Sequence, residues 1–131
     1  MIKYTKNVVW LEDYVNSVSD LVPIEQIKRV IGYKVKIGLN ECQDAAIQTA
    51  NKRGDKFVIS IKLYEQEILK HKPIHIAFVL DSLAHELAHL MYWEHDSHHF
   101  KLQARILFRF GMMLKKKNIN DTSKPFTKYG K

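Results

Sequence analysis

Residues 85 to 96, HELAHLMYWEHD, hold two histidines four positions apart, a glutamate directly after the first, and a third histidine six positions after the second. On an α-helix, at about 100° per residue, His85 and His89 stand roughly 40° apart around the axis and one turn apart along it, so both imidazoles reach a single metal ion. Glu86, about 100° from His85, flanks that ion without being forced to bind it. Two histidine ligands beside a carboxylate that takes a proton from an attacking water form the arrangement of a zinc hydrolase. With seven His and seven Glu in 131 residues, composition alone produces H-E-x-x-H somewhere with a chance of only ~2%. The metal reading therefore outweighs a helix with incidental surface histidines.

A catalytic zinc takes a third protein ligand and keeps its fourth position open. Were the helix to run on past His89, His95 would lie about 240° further round and face away, so the chain must turn between about Met91 and Glu94. His95 is the expected third ligand, with Asp96, His98 and His99 as alternatives. A later glutamate ligand is excluded, because residues 97 to 120 contain no Asp or Glu. The metzincin pattern is disfavoured, because Tyr92 stands where that pattern has glycine. Tyr92, His98 and His99 are candidates for a second donor to the oxyanion. His75, between Ile74 and Ile76, reads as a helix-start residue.

Holding these residues requires a helix for the motif and a core behind it. Pro73 opens a segment in which Ile76, Val79, Leu80, Leu83, Leu87 and Leu90 recur at helical spacing. Asp96 or Ser97 caps a last helix running to about Lys116. Upstream, Val8, Leu11, Val15, Val18 and Val22 predict a helix over 8–19, and a second short helix follows with Pro23 in its first turn and Gly32 at its end. Then the period changes: residues 33–39 alternate, and AAIQTAN and KFVISIKL flank KRGD, which predicts a β-hairpin over 45–63. Helices, then an antiparallel sheet of three or more strands, then two helices make an α+β domain over 1–116, followed by a loop-like basic tail over 117–131.

Composition bounds the rest. The chain is 46% hydrophobic and 27% charged, which suits one folded domain and excludes wholesale disorder. Its single Cys42 excludes an internal disulfide and any cysteine-rich zinc ribbon, so a reducing compartment is expected, most simply the cytoplasm. No apolar run approaches the ~20 residues of a membrane span, and no signal peptide is read. The formal charge of +7 is unevenly placed. Residues 1–96 hold twelve basic against thirteen acidic residues, a net of −1, and residues 97–131 hold nine basic against Asp121 alone, a net of +8. Lys101, Arg105, Arg109 and Lys116 fall within an arc of about 80° on the last helix, with Phe100, Leu107, Gly111 and Leu114 on the other side. That stripe, near a tail bearing Lys124, Phe126, Lys128 and Tyr129, suits phosphate contact with occasional base stacking.

The stretch VLDSLAHELAHLMYWEHDSHHF, residues 79–100, resembles the SprT-like and WLM zinc metalloproteases, the Spartan group. Their pattern of a helical H-E-x-x-H, five residues, a third histidine and a later aromatic falls here on His85, Glu86, His89, His95 and Phe100. The resemblance spans about residues 33–114, most of it as pattern. Trp93 and Glu94 stand where many members have Gly-Pro beside the third histidine, a pair that the YgjP-like group also lacks. What the resemblance implies is a zincin-like fold and a monomeric zinc metalloendopeptidase. His85, His89 and His95 would hold Zn2+ and Glu86 would act as base. The implied substrates are proteins bound or crosslinked to DNA, in DNA repair. Two other readings stay open. One is a metal-dependent hydrolase of a small phosphate-containing substrate, as in the YgjP-like group. The other is a DNA-binding module with an idle metal.

Overall fold

The computed structural model describes residues 2–35, 45–51, 56–64 and 73–120. Readings placed on residues 36–39, Cys42, the KRGD loop and the tail from Asp121 onward fall outside the described residues. In chain order the elements are β1 (Lys3–Tyr4), a 3-10 segment (Lys6–Leu11), α1 (Glu12–Asn16), a second 3-10 segment (Ile24–Gln26), β2 (Ile27–Val35), β3 (Ala45–Asn51), β4 (Lys56–Tyr64), α2 (Pro73–Ala88) and α3 (Ser97–Asn120). The mixture of helix and sheet is as expected. Val8, Leu11, Val15, Val18 and Val22 are all buried, but the predicted 8–19 helix is a 3-10 segment continued by a short α1. The last helix runs past Lys116 to Asn120.

Two expectations are corrected. The second predicted helix is instead a turn of 3-10 followed by the strand β2. The cause is an irregularity in the pairing with β4 between Ile27 and Arg29. An extra residue there puts two exposed positions, Lys28 and Arg29, between buried Ile27 and buried Val30, a spacing of three that imitates a helix. The sheet also is mixed rather than antiparallel. Its order is β1-β2-β4-β3, with β1 parallel to β2, β2 parallel to β4, and only the hairpin partners β3 and β4 antiparallel. A tight hairpin dictates an antiparallel pair, whereas strands joined by longer crossovers are free to run parallel. The hairpin itself lies where the alternation placed it. β4, flanked on both sides, buries Val58, Ile59, Ile61, Lys62 and Leu63, the near-continuous burial of an interior strand.

Gly32 lies within β2, opposite Ile61. A Cβ there would come within 2.5 Å of Leu63 Cδ1 and 2.7 Å of Val8 Cγ1. Glycine thus lets the N-terminal segment close on the sheet. Gly32→Ala is expected to destabilise the protein by about 1–3 kcal/mol through overpacking, read as a lower urea midpoint; an unchanged midpoint would show that Leu63 and Val8 yield freely.

α2 packs against β3 and β4, and α3 packs on α2. Leu83 and Leu87 of α2 and Ile106 and Phe110 of α3 are fully buried in one hydrophobic core. Tyr14 meets Phe110 edge-on at 5.6 Å and Trp10 at 6.2 Å, which joins the N-terminal segment to α3. Among the described residues no helix is long and apolar enough to cross a membrane.

Candidate metal centre

α2 ends at Ala88, and the chain leaves it through a tightened turn. The amides of His89, Leu90 and Met91 donate to the carbonyls of Glu86, Leu87 and Ala88, three residues back in each case. This reverses the chain without glycine, ahead of His95, which required it. Asp96 then caps α3: its Oδ1 accepts from the amides of His98 at 3.0 Å and His99 at 3.1 Å. The two helices, facing each other across this turn, bring four histidines together.

His85 and His89 present their Nε2 atoms to a common point. His95 Nε2 is 3.2 Å from that of His85 and 3.1 Å from that of His89. Nitrogens bound tetrahedrally to zinc at 2.0–2.1 Å would lie about 3.3–3.4 Å apart. The other ring nitrogens are occupied. His89 Nδ1 donates to the Tyr92 carbonyl at 3.0 Å, and His85 Nδ1 donates to Gln103 Oε1 at 2.9 Å. Neutral imidazole has one N–H, so both Nε2 atoms carry lone pairs at the convergence. A proton on His95 Nε2 satisfies only one of them. A cation satisfies all, and the donor set fits one.

His85, His89 and His99 also lie close enough to hold a metal ion, with ligand atoms all within 4.8 Å of one another. Two sets of three thus share His85 and His89. His99 is almost wholly buried, its ring lies 4.2 Å from that of His89, and its Nε2 donates to the His85 carbonyl at 3.0 Å. With Nε2 donating to a carbonyl, His99 carries its lone pair on Nδ1, while exposed His95 aims Nε2 at both partners. His95 and His99 are therefore both candidates for the third position beside His85 and His89. His98 is exposed and stacks on Tyr92 at 5.5 Å.

Electrostatics separates the roles further. Glu86 is 5% exposed, and burial pushes its carboxyl up to about 7. Burial, reinforced by the neighbouring histidines, pulls His89 down to about 4, so it is neutral at neutral pH. Trp93 lies 5.5 Å from His89 and 6.3 Å from Phe57 at the start of β4, giving the site an aromatic rim.

The basic stripe divides. Lys101, Arg105 and Lys116 are exposed as expected. Arg109 is tied to the N-terminal segment through the Ser17 carbonyl at 2.6 Å and Asp20 at 3.0 Å. Phe100, expected on the buried side, is 70% exposed. Sequence reasoning did not find Gln103 or Asp81, whose amide and carboxylate meet at 3.4 Å beside His85. Gln103 lies eighteen residues beyond His85 with no motif to mark it. No family model, curated protein or solved structure matches the chain.

Proposed function

We propose that the protein is a zinc-dependent peptidase in which His85, His89 and His95 hold the metal and Glu86 is general base, then proton donor to the leaving amine. The observation that supports this most directly is the convergence of three imidazole Nε2 atoms at 3.1–3.2 Å. Zinc bound there would polarise the scissile carbonyl and bring water's ionisation near neutrality. Glu86, buried and next to His85 in sequence, would take a proton from the attacking water and return it to the leaving amine. The ring nitrogens of His85 and His89 that do not face the metal are held by hydrogen bonds, so the ligands need little reorganisation.

A peptide suits the surroundings better than a phosphate ester. Residues 73–100, which build the site, contain Asp81, Glu86, Glu94 and Asp96 but no Lys or Arg to meet a phosphate. Tyr92 and Trp93, 37% and 56% exposed, offer aromatic surface to the side chains of an extended polypeptide. DNA contact on this proposal falls to Lys101, Arg105 and Lys116, since Arg109 is tied elsewhere.

The test is to supply one equivalent of zinc and follow cleavage of casein, of a protein crosslinked to single-stranded DNA, and of p-nitrophenyl phosphate. Peptide fragments that vanish with a chelator and return with zinc are expected. Replacing Lys101, Arg105 and Lys116 together with Gln should slow cleavage of the crosslinked protein and leave casein cleavage unchanged. Phosphate release without fragments would transfer the site to the small-substrate reading.

A further inference from the structure

We infer that Gln103, held by Asp81, is a positioning residue that selects the tautomer of His85 able to bind the metal; this rests on the metal-centre reading above. A neutral imidazole in water favours the proton on Nε2, which is the nitrogen His85 must keep bare. The partner of the other nitrogen decides. For His89 that partner is the main-chain carbonyl of Tyr92, which cannot turn round. For His85 it is the side-chain amide of Gln103, which can. With Oε1 toward His85, at 2.9 Å, the amide accepts Nδ1–H and leaves the Nε2 lone pair facing His95. Turned by 180°, its NH2 would donate to Nδ1, put the proton on Nε2, and close the site to a cation.

The other end of the amide removes this ambiguity. Gln103 Nε2 lies 3.4 Å from Asp81 Oδ1. A carboxylate offers acceptors only, so the NH2 end belongs there and the carbonyl end belongs to His85. The fold supplies both ends at once. Asp81 is four residues before His85 on α2, and therefore on the same face one turn away. Gln103 reaches both from α3, which packs on α2. Asp81 thus acts on the metal centre without touching a ligand.

Two measurements test this. In the metal-free protein, at a pH where imidazole is neutral, 15N–1H correlation of the histidine rings should show His85 protonated on Nδ1. Gln103→Leu should shift it toward the Nε2–H form. Zinc affinity should fall about 10–100-fold in Gln103→Leu and nearly as far in Asp81→Leu. Asp81→Asn, whose carbonyl still accepts from the amide, should be close to the parent. The decisive variant is the pair Q103E and D81L. A glutamate accepts from Nδ1 whichever way it turns, so losing Asp81 should no longer matter, and the double variant should bind zinc more tightly than Asp81→Leu alone. An unchanged tautomer and affinity in Gln103→Leu would overturn the inference, as would an Asp81 effect of equal size with glutamate at 103. A parent protein that binds no stoichiometric zinc would instead sink the metal reading, and the tautomer measurement would still stand on its own.

Discussion

Glu86→Gln is expected to leave fold and zinc in place and to lower peptide hydrolysis by about 10²–10⁴-fold. Glutamine has the shape of glutamate and cannot take the proton. Near-normal turnover would remove Glu86 from the mechanism. The same substitution has a second, opposite signature in the metal-free protein. Glu86 is raised from 4.5 to about 7 by burial, so between those pH values the folded state holds a proton that the unfolded state has lost. Stability therefore falls as pH rises through that window. The variant escapes this penalty. Under chelation it should match the parent at pH 4.5 and exceed it above pH 7 by on the order of 1–3 kcal/mol. His89, lowered from 6.5 to about 4, works the other way: its contribution is lost as pH falls from 6.5 to 4, because the unfolded state is protonated first. In the parent the two slopes largely cancel between pH 4.5 and 6.5. In Glu86→Gln the Glu86 slope is gone and that of His89 remains, joined by that of His99, which burial also lowers, so urea unfolding across pH 4 to 8 separates the carboxyl from the histidines. An equal stability difference at pH 5 and pH 8 would contradict the burial of the carboxyl.

His85→Ala and His89→Ala should each abolish stoichiometric zinc, reducing about one ion per chain to none retained through gel filtration. Each removes a ligand from a three-ligand set, and His89 is also enclosed by the rings of His85, His95, His99 and Trp93. Full retention in both variants would end the metal-centre reading. The third position is decided by a contrast between neighbours. His95 is exposed, so His95→Ala should lose zinc affinity with little change in stability. His99 is buried and bonded to the His85 carbonyl, so His99→Ala should lower stability while largely keeping the metal. The reverse outcome would make His99 the ligand.

Much of this site was legible in the residues themselves. The four-residue spacing of His85 and His89 puts them on one helical face whatever surrounds the helix, because 3.6 residues per turn is a local property. The turn required before His95 and the cap at Asp96 are also local; the cap is where it was expected, and the turn begins at His89, slightly earlier than expected. The alternation in residues 45–63 specified a hairpin for the same reason.

Other features depended on what each segment packs against. The Ile27 to Val30 spacing reads as helix until the pairing with β4 reveals the displaced residue. Parallel pairing of β1, β2 and β4 follows from where the crossovers lead, which no local pattern encodes. Arg109 and Phe100 show the limit most plainly. One sits in a basic stripe and is tied to Asp20, eighty-nine residues upstream; the other sits in an apolar pattern and faces solvent. Residue type and helical angle thus set the pair of candidate metal ligands, His85 and His89. Contacts across the fold decided that Glu86 is buried enough to hold its proton to about 7, that His99 is bonded to the His85 carbonyl, and that Gln103 and Asp81 stand beside His85. Desolvation and partnership between distant residues arise only once the helices pack.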